Sequence, residues 1–510
     1  MHDKLKPSID VWQLSEYILT MVEYKGRLPH IWKLYLSWIS DNPVAVLLIS
    51  AITFLLLGWG QNGINLDSST YSVIARNMVE HGQWFNPTYT PYSHPSFAEH
   101  PPLVMWVQAF IFWLFGANDS TARLFGAICT MGSALAVFWL GREVSGKALG
   151  LLGGLVLILT YNFMQGGNST LLDYPMSFFV LVTLAGLARL QSSRIKDTPW
   201  WVFIVTGLAL GFSFLAKGVV SGPVWAAVGI AALMHRNWLK KLRFWIIPGL
   251  AIGLVALYLL LDQIYANGHF AHHYFLIQVW RRFIDGGPEI STEWYEFLFR
   301  FCTLYLPWII LLPIGIYSAI KKKKTVLLPL GITLFLYAIF YSNAAKLYYH
   351  YFAPVYALSA LFVAMGLRLF LKDKLVPKVA AVFLIIWVLT GIGVASAGVR
   401  IHHIRCDEVY NLTSQMTNLL QQSNTNEGVM VCSGEPNWDI IAKTAWYWRS
   451  NIAWTVSLDN ALEMIRSDKR YTYLLLPQQS DKYSIDSIPD DFVLYTSNDK
   501  LAVFILSSSN

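Results

Sequence analysis

Charged side chains are scarce in this sequence of 510 residues. Asp, Glu, Lys and Arg make up only 14% of it, whereas hydrophobic residues make up 55% and aromatic residues 15%. A water-soluble protein needs far more charge to cover its surface, so the composition excludes that class and predicts a polytopic membrane protein. The net charge of +7 fits basic loops that face anionic lipid, and it requires no nucleic-acid partner.

Cysteine is also rare, since the four residues present show no metal-ligand spacing. Cys129 and Cys302 fall in or beside apolar stretches and are predicted to be inert core residues. Cys406 and Cys432 lie in the polar C-terminal part. If that part faces an oxidising compartment, the sequence allows a disulfide between them but does not require one. About 42 polar to amphipathic residues precede the first apolar stretch, so no cleavable secretory signal is expected.

Long apolar stretches fill the middle of the chain. They are residues 43–59, 101–115, 122–140, 148–163, 170–190, 200–215, 218–234, 244–261, 297–320, 326–341, 351–370 and 376–399. Basic clusters between them are predicted to be cytoplasmic by the positive-inside rule, which places the C-terminal tail outside. The stretch 101–115 would have to begin and end outside, so it is predicted to be interfacial or re-entrant. About eleven to thirteen transmembrane helices are expected.

The sequence predicts three parts. Residues 1–42 read as an amphipathic segment on the cytoplasmic membrane surface. Residues 43–399 form an all-α membrane domain with an outer loop at 62–103. Residues 400–510 have an ordinary polar composition and are predicted to form a small extracytoplasmic α/β domain, with strands at 429–432, 471–476, 492–495 and 501–506 and helices at 408–421, 437–448 and 460–466.

Ionisable residues at the edges of the apolar stretches form the candidate site, because such groups are costly there unless they are paired or wetted. The acidic candidates are Asp67, Glu99 and Asp173. Local sequence alone also allows Asp67 and Asp173 to cap the helices that follow them, and Glu99 and His100 to form a surface pair.

Basic residues gather on the predicted outer side, where positive charge is usually avoided, and a bound anion would explain them. The basic and phenolic candidates are His100, Lys217, His272, His273, Arg281, Arg282, Lys346, Tyr349 and His350. Two adjacent arginines, such as Arg281 and Arg282, can bind a phosphate through bidentate hydrogen bonds from their guanidinium groups. Lys217 also fits a snorkelling lysine at a turn. Binding of a metal ion by the histidines is the weaker interpretation, and the sequence leaves undecided whether the protein uses a divalent metal.

At these residues the chain resembles the GT-C superfamily of membrane glycosyltransferases, and within it the lipid A 4-amino-4-deoxy-L-arabinose transferases and the protein O-mannosyltransferases. The resemblance rests on Asp67-Ser68, Glu99-His100-Pro101-Pro102, Ala122-Arg123-Leu124, Asp173-Tyr174-Pro175, Ala216-Lys217-Gly218 and the segment 346–354. The family usually has Asp-Glu where this chain has Asp67-Ser68. It has Glu-Lys-Pro-Pro where the chain has Glu99-His100-Pro101-Pro102, so His100 replaces a lysine.

The resemblance implies an inner-membrane enzyme that moves a sugar from a polyprenyl-phosphate donor to lipid A, another glycolipid or a protein on the outer face, with inversion. It implies Asp67 as the base that deprotonates the acceptor hydroxyl, with Asp173 assisting. The basic residues would bind the carrier phosphate, and Glu99 and His100 would line the site.

Two other functions stay open. One is a transporter or lipid flippase without bond chemistry, against which the sequence has no inverted repeat and no matching pair of broken helices. The other is a catalytically inactive GT-C homologue that serves as a membrane scaffold, against which Asp67 and Asp173 are both present.

Overall fold

A computed structural model describes residues 28–59, 63–92, 95–193, 195–281, 293, 295–321, 325–344, 347–396, 407–422, 427–432, 436–478 and 485–507. Arg282, Lys346 and Cys406 lie outside these residues, and so do residues 1–27 of the predicted amphipathic segment. The predictions made for them therefore stay predictions.

Helices dominate the described chain up to Ser396. They are α1 Leu28–Asp41, α2 Pro43–Trp59, α3 Leu66–His81, α4 Leu103–Phe115, α5 Asp119–Ser145, α6 Lys147–Ile158, α7 Tyr161–Gly167, α8 Asp173–Ser192, α9 Trp200–Lys217, α10 Gly222–Met234, α11 Leu242–Ala266, α12 Glu296–Leu304, α13 Leu311–Lys321, α14 Leu328–Ser342, α15 Ala353–Leu367 and α16 Val376–Ser396. A four-residue helix, His269–His272, continues as a π-helix, His273–Arg281.

Seven helical stretches of the described chain are long and apolar enough to cross a membrane, and up to ten if each of three bent helix pairs is one span. One of the seven, Trp200–Met234, has 35 residues. A straight helix of that length would measure about 52 Å, well beyond the hydrocarbon core of about 30 Å.

The stretch Trp200–Met234 turns back on itself at the 3-10 turn Gly218–Ser221. Gly207 of α9 packs against the backbone of Ile247 in α11, and Gly211 packs against Ala251 one turn further on, so α9 and α11 run parallel. The helix between them, α10, must therefore carry the chain back across. Gly218 has φ of +65°, in the left-handed region that glycine adopts without strain, and this allows the turn.

Two short helices lie where the sequence predicts surface positions. The stretch 101–115 forms α4, a single apolar helix of 13 residues that measures about 20 Å, and its interfacial or re-entrant placement stays a prediction. Helix α1 meets α2 at an angle of 92°, so it leaves the direction of the first span almost at a right angle. This angle fits a helix that lies along the membrane surface, as predicted for residues 1–42.

The C-terminal part is a small α/β unit. Its elements are α17 Asp407–Asn411, α18 Thr413–Gln422, β1 Glu427–Val431, α19 Trp438–Lys443, a π-turn Thr444–Trp448, β2 Asn451–Thr455, α20 Leu458–Ser467, β3 Tyr471–Pro477, β4 Phe492–Ser497 and β5 Leu501–Leu506. The sheet order is β2-β1-β3-β5-β4; β1 runs parallel to β2 and β3, whereas β5 is antiparallel to β3 and β4.

Alternation along the strands buries both faces of this sheet. On one face Met430 and Tyr473 pack beneath α17, α18 and α19, and on the other Val429 and Leu474 pack beneath α20. Strand β2 was not predicted from the sequence. It is an edge strand of five residues whose burial does not alternate, so it lacks the periodic pattern of a half-buried strand.

Candidate active site

Asp67 lies in the first turn of α3 but does not cap it. The cap is Asn65, whose side-chain oxygen accepts a hydrogen bond from the Ser68 N–H at 2.8 Å. Asp173 is the first residue of α8, and among the described residues its side chain makes no capping hydrogen bond. The capping interpretation of both carboxylates is therefore wrong, and each side chain is available for other contacts.

Asp173 pairs with Lys217. The Lys217 ammonium donates to a carboxylate oxygen of Asp173 at 2.5 Å, and the two side chains are 7% and 2% exposed. The ammonium also lies 4.6 Å from the centre of the Tyr351 ring, a cation–π arrangement. Lys217 is thus held inside the protein, and the interpretation as a snorkelling lysine at a turn is wrong.

His350 joins the two carboxylates. Its Nε2 lies 3.7 Å from an Asp67 oxygen and 3.8 Å from an Asp173 oxygen, and its side chain is 7% exposed. The 3-10 turn Tyr349–Phe352 that carries it leads directly into α15. Next to it, the Tyr349 hydroxyl accepts a hydrogen bond from the Asn65 side chain at 3.0 Å. Residues from four distant parts of the chain therefore meet at one cluster.

The two carboxylates differ in accessibility. The Asp67 side chain is 40% exposed, whereas that of Asp173 is almost fully buried. Partial burial raises the pKa of the Asp67 carboxyl above its ordinary value, and the positive charges of His350 and Lys217 oppose that rise. A carboxylate with a raised pKa that a ligand can reach is suited to accept a proton.

Glu99 and His100 border the cluster from the other end of the outer loop. The negative charge of Glu99 acts on the Asp67 carboxyl and contributes to its raised pKa, after burial and Asp173. The Tyr71 ring, one turn after Asp67, packs edge-on against the His100 ring at 6.1 Å between centres. The end of the loop 62–103, at Glu99 and His100, therefore lies close to its beginning at Asp67.

The segment His269–Arg281 lies against the turn after Lys217. The Tyr274 hydroxyl accepts a hydrogen bond from the Val219 N–H at 2.8 Å, and Tyr274 packs with Phe270, Leu215 and Ala98 in one apolar cluster. His272 and Arg281 are exposed and His273 is half-buried. The segment thus borders the turn after Lys217 through Tyr274.

One buried carboxylate that the sequence analysis missed positions this segment. Asp262, near the end of α11, accepts hydrogen bonds from the Phe270 and Ala271 N–H groups at 3.1 and 3.0 Å, and it is fully buried. An acidic residue at the end of a long apolar stretch was the available signal. In the part of the chain that the structure describes, no three His, Cys, Asp or Glu side chains are placed to hold a metal ion.

An apolar groove lies at the turn that follows Lys217. Its volume is about 470 Å³, and it lies between α9, α10, α11 and the π-helix. The residues that line it include Phe214, Val219, Gly222, Trp225, Leu259 and Phe275. Lys217 of the charged cluster is thus only two residues from Val219 of the groove, an arrangement that suits an amphiphilic ligand with a polar head and a hydrocarbon tail.

Comparison with known proteins finds relatives over part of the chain. Residues 99–261, less than half of the chain, match the family described as dolichyl-phosphate-mannose-protein mannosyltransferase. The undecaprenyl phosphate-alpha-4-amino-4-deoxy-L-arabinose arabinosyl transferase 1 of Pseudomonas fluorescens is 27% identical over 348 residues, which cover 66% of this chain and 60% of that protein. The corresponding transferase of Erwinia tasmaniensis is 24% identical over 51% of this chain and 46% of its own length.

Solved structures extend the likeness to the whole fold. The crystal structure of ArnT from Cupriavidus metallidurans bound to undecaprenyl phosphate superposes with a TM-score of 0.71 at 17% identity, covering 90% of this chain and 97% of that one. The chain has the GT-C fold. The GT-C oligosaccharyltransferase AglB of Archaeoglobus fulgidus superposes less closely, with a TM-score of 0.54 at 15% identity over 86% of this chain and 70% of that one. The expected fold, a polytopic α-helical domain followed by a small α/β unit, is thus confirmed.

Proposed function

We propose that this protein is a membrane glycosyltransferase that moves one sugar from a polyprenyl-phosphate donor to an acceptor on the outer face of the membrane. The alignments span only about half to three fifths of the length of the curated relatives, so their activity is carried over here as a proposal. The donor sugar is a pentose or a hexose, and the names of the relatives favour a pentose. The acceptor is lipid A, another glycolipid or a protein.

The observation that carries the proposal is the cluster of Asp67, Asp173, Lys217 and His350, together with the apolar groove whose lining begins close in the chain to Lys217. A transporter needs a polar path through the membrane, whereas here the charged groups are paired at one end of the spans. A phosphate head at Lys217 would place its isoprenoid tail in the groove that starts at Val219.

The chemistry needs two groups with opposite tasks. The phosphate that leaves the sugar carries its own negative charge, so a nearby ammonium that stabilises this charge can replace a general acid. Lys217 has three N–H donors, of which one is used by Asp173, and it can therefore donate to a phosphate as well. His350 lies beside it and adds a second donor when protonated.

The acceptor hydroxyl must lose a proton as it attacks the sugar carbon. Asp67 is the accessible carboxylate of the cluster and is proposed to accept that proton. Asp173 is proposed to hold Lys217 and His350 in place, because its buried carboxylate contacts both of them. Attack by the acceptor on the face opposite the phosphate, in a single displacement, inverts the configuration of the sugar carbon.

The arrangement in the cell follows from the same proposal. The domain of residues 43–399 would lie in the inner membrane, with residues 1–42 on its cytoplasmic surface and residues 400–510 on the periplasmic side. Glu99, His100, Tyr349, His272, His273 and Arg281, together with Arg282 and Lys346 outside the described residues, remain proposed contacts to the donor or the acceptor.

The test is to incubate the purified protein with polyprenyl-phosphate sugars and detergent-solubilised envelope lipids, and to follow donor loss by mass spectrometry. Asp67→Asn keeps the shape of the side chain but removes its basicity, so the turnover rate is expected to fall at least about 100-fold. The matched control is Asp459→Asn, because Asp459 is an exposed acidic residue in the first turn of α20. This control is expected to behave as the wild type does.

Equal turnover in the wild type and in Asp67→Asn would keep a glycosyltransferase but remove Asp67 as its base. Binding of the lipid donors without loss of any donor in the wild type would overturn the proposal in favour of a lipid-binding or transport protein.

A further inference from the structure

The three residues before α3 are not part of any helix or strand, yet several of their backbone groups are hydrogen-bonded to distant side chains. The Gly63 N–H donates to a carboxylate oxygen of Asp119 at 2.7 Å, and the Gly63 carbonyl accepts from the guanidinium of Arg123. The Ile64 N–H donates to the Tyr447 hydroxyl at 3.1 Å. This short segment sets where α3 begins, and therefore where Asp67 lies.

The C-terminal unit reaches Asp119 as well. The Tyr447 hydroxyl donates to one Asp119 oxygen at 3.1 Å, and the Trp446 indole N–H donates to the other at 2.9 Å. Asp119 is thereby shared between the segment before Asp67 and two aromatic residues of the C-terminal unit. The residues concerned lie more than 300 positions apart in the chain.

A second contact holds α3 further along its length. The guanidinium of Arg76 donates to the backbone carbonyls of Trp446 and Ala445 at 3.2 and 2.9 Å. Arg76 is 7% exposed and lies nine residues after Asp67, so both the start and the middle of α3 are bound to the same π-turn. The opposite side of the first turn is held by Ser68, whose hydroxyl accepts from the Thr170 N–H at 3.0 Å, close to Asp173.

We propose that Tyr447 and Trp446 of the C-terminal unit, acting through Asp119, are positioning residues that fix Asp67 opposite Asp173, His350 and Lys217. The cavity of about 390 Å³ that they line, between the C-terminal unit and α5, is a structural junction, because the polar groups of Asp119, Trp446 and Tyr447 that face it are used in these contacts. The C-terminal unit thus takes part in the geometry of the site through its contacts with Asp119 and Arg76. This inference rests on the proposed function of Asp67.

Tyr447→Phe tests the inference because it removes one hydroxyl and keeps the ring. The Ile64 N–H loses its acceptor and Asp119 loses a donor, so hydrogen exchange of residues 63–66 is expected to rise about 5- to 10-fold. The turnover number is expected to fall about 10- to 100-fold, as it does when a reacting group is displaced by a fraction of an ångström to an ångström. The KM for the lipid donor is expected to stay near the wild-type value, because Lys217 and the groove are unchanged.

Two further variants complete the experiment. Tyr495→Phe is the matched control, because the Tyr495 hydroxyl donates to the Gln415 carbonyl within the same unit and away from the junction. It is expected to leave both exchange and turnover unchanged. Asp119→Asn places an N–H group against the hydrogen-bond donors of Gly63, Trp446 or Tyr447. It is therefore expected to raise hydrogen exchange of residues 63–66 and to lower the turnover number more than Tyr447→Phe does.

The outcomes separate the two proposals. If the wild type transfers no sugar, the proposed function fails, and the exchange measurement still decides whether Tyr447 holds residues 63–66. If Tyr447→Phe exchanges as slowly as the wild type does, the inference is overturned. A lowered thermal midpoint with unchanged turnover per folded molecule would also overturn it, since it would make Tyr447 a structural residue only.

Discussion

Asp67 and Asp173 occupy similar positions in sequence, each at the start of a helix, but their surroundings give them different chemistry. Asp173 is buried and has an ammonium at 2.5 Å, so its charge is compensated where it stands. Asp67 is 40% exposed, and the imidazole of His350 lies 3.7 Å from its carboxylate. The buried pair is therefore a fixed part of the structure, whereas Asp67 keeps a carboxylate that a hydroxyl can approach.

The buried pair predicts strong coupling between two substitutions. Asp173→Asn leaves the Lys217 ammonium without its partner, and Lys217→Met leaves the Asp173 carboxylate without its own. Each is expected to lower the free energy of unfolding by about 3–5 kcal/mol, because a single buried charge is left uncompensated. The double variant is expected to lose much less than the sum of the two. Denaturation of the purified variants in detergent measures these changes.

The exposed pair Arg466 and Asp491, 2.7 Å apart in the C-terminal unit, supplies the matched control cycle. Both side chains are more than 40% exposed, so coupling between Arg466→Met and Asp491→Asn is expected to be about 0–1 kcal/mol. Additive losses at Asp173 and Lys217 would show that the two charges do not depend on each other.

At the scale of elements, glycine allows the helices that carry the site to pack closely. Helices α5 and α6 meet where Gly141 faces Gly150, and a Cβ added at Gly141 would lie 2.7 Å from the Gly150 Cα. Helix association in a membrane relies on such close backbone contact, since burial of apolar surface there gives no gain over lipid. The position of α5 matters for the site because α5 carries both Asp119 and Arg123.

Gly141→Ala is therefore expected to lower the free energy of unfolding by about 1–3 kcal/mol, because the helices must separate. The matched control is Gly249→Ala in α11, where an added Cβ meets no atom within 4 Å. That change is expected to be neutral or to stabilise the protein by up to about 1 kcal/mol, since alanine favours a helix. Thermal denaturation of both variants in the same detergent compares them, and equal midpoints would contradict the close contact.

The sequence predicted the apolar helices, the short α4 and four of the five strands, because length, apolar runs and period-2 patterns are local properties. It predicted eleven to thirteen crossings, whereas the described residues contain seven to ten, because sharp bends such as the 114° break after Leu304 depend on packing. It also marked Asp67, Asp173, Lys217 and His350 as unusual, since each is an ionisable group beside an apolar run. It did not predict that Lys217 pairs with Asp173, because that contact joins two helices and depends on how they pack. Asp119, Trp446 and Tyr447 gave no local signal, and their role arises only when the C-terminal unit docks on α3.

At the scale of the whole molecule, the proposed function needs the polar cluster and the groove to act together on one amphiphile. The groove is built from α9, α10, α11 and the π-helix, which are consecutive in the chain, whereas the cluster draws on α3, α8, α9 and the turn before α15. In a lipid donor bound in this way, the phosphate head would contact the cluster and the isoprenoid tail would lie in the groove.

Gly222→Phe tests the role of the groove, because Gly222 lines it and a Cβ added there meets no atom within 4 Å. The added ring is expected to occupy the space of the tail and to raise the KM for a long polyprenyl donor about 10-fold or more, as loss of about two buried methylene groups or more would do. A donor with a short, water-soluble tail does not need this space and is expected to keep its KM.

Gly229→Phe is the matched control, because Gly229 lies on the same helix, has the same open space around it and does not line the groove. It is expected to leave the KM of both donors unchanged. If Gly222→Phe raised the KM of the short donor as much as that of the long one, the ring would be disturbing Lys217 and not the tail. If it changed neither, the isoprenoid would have to lie elsewhere on the membrane domain, and the head group alone would connect the donor to the cluster.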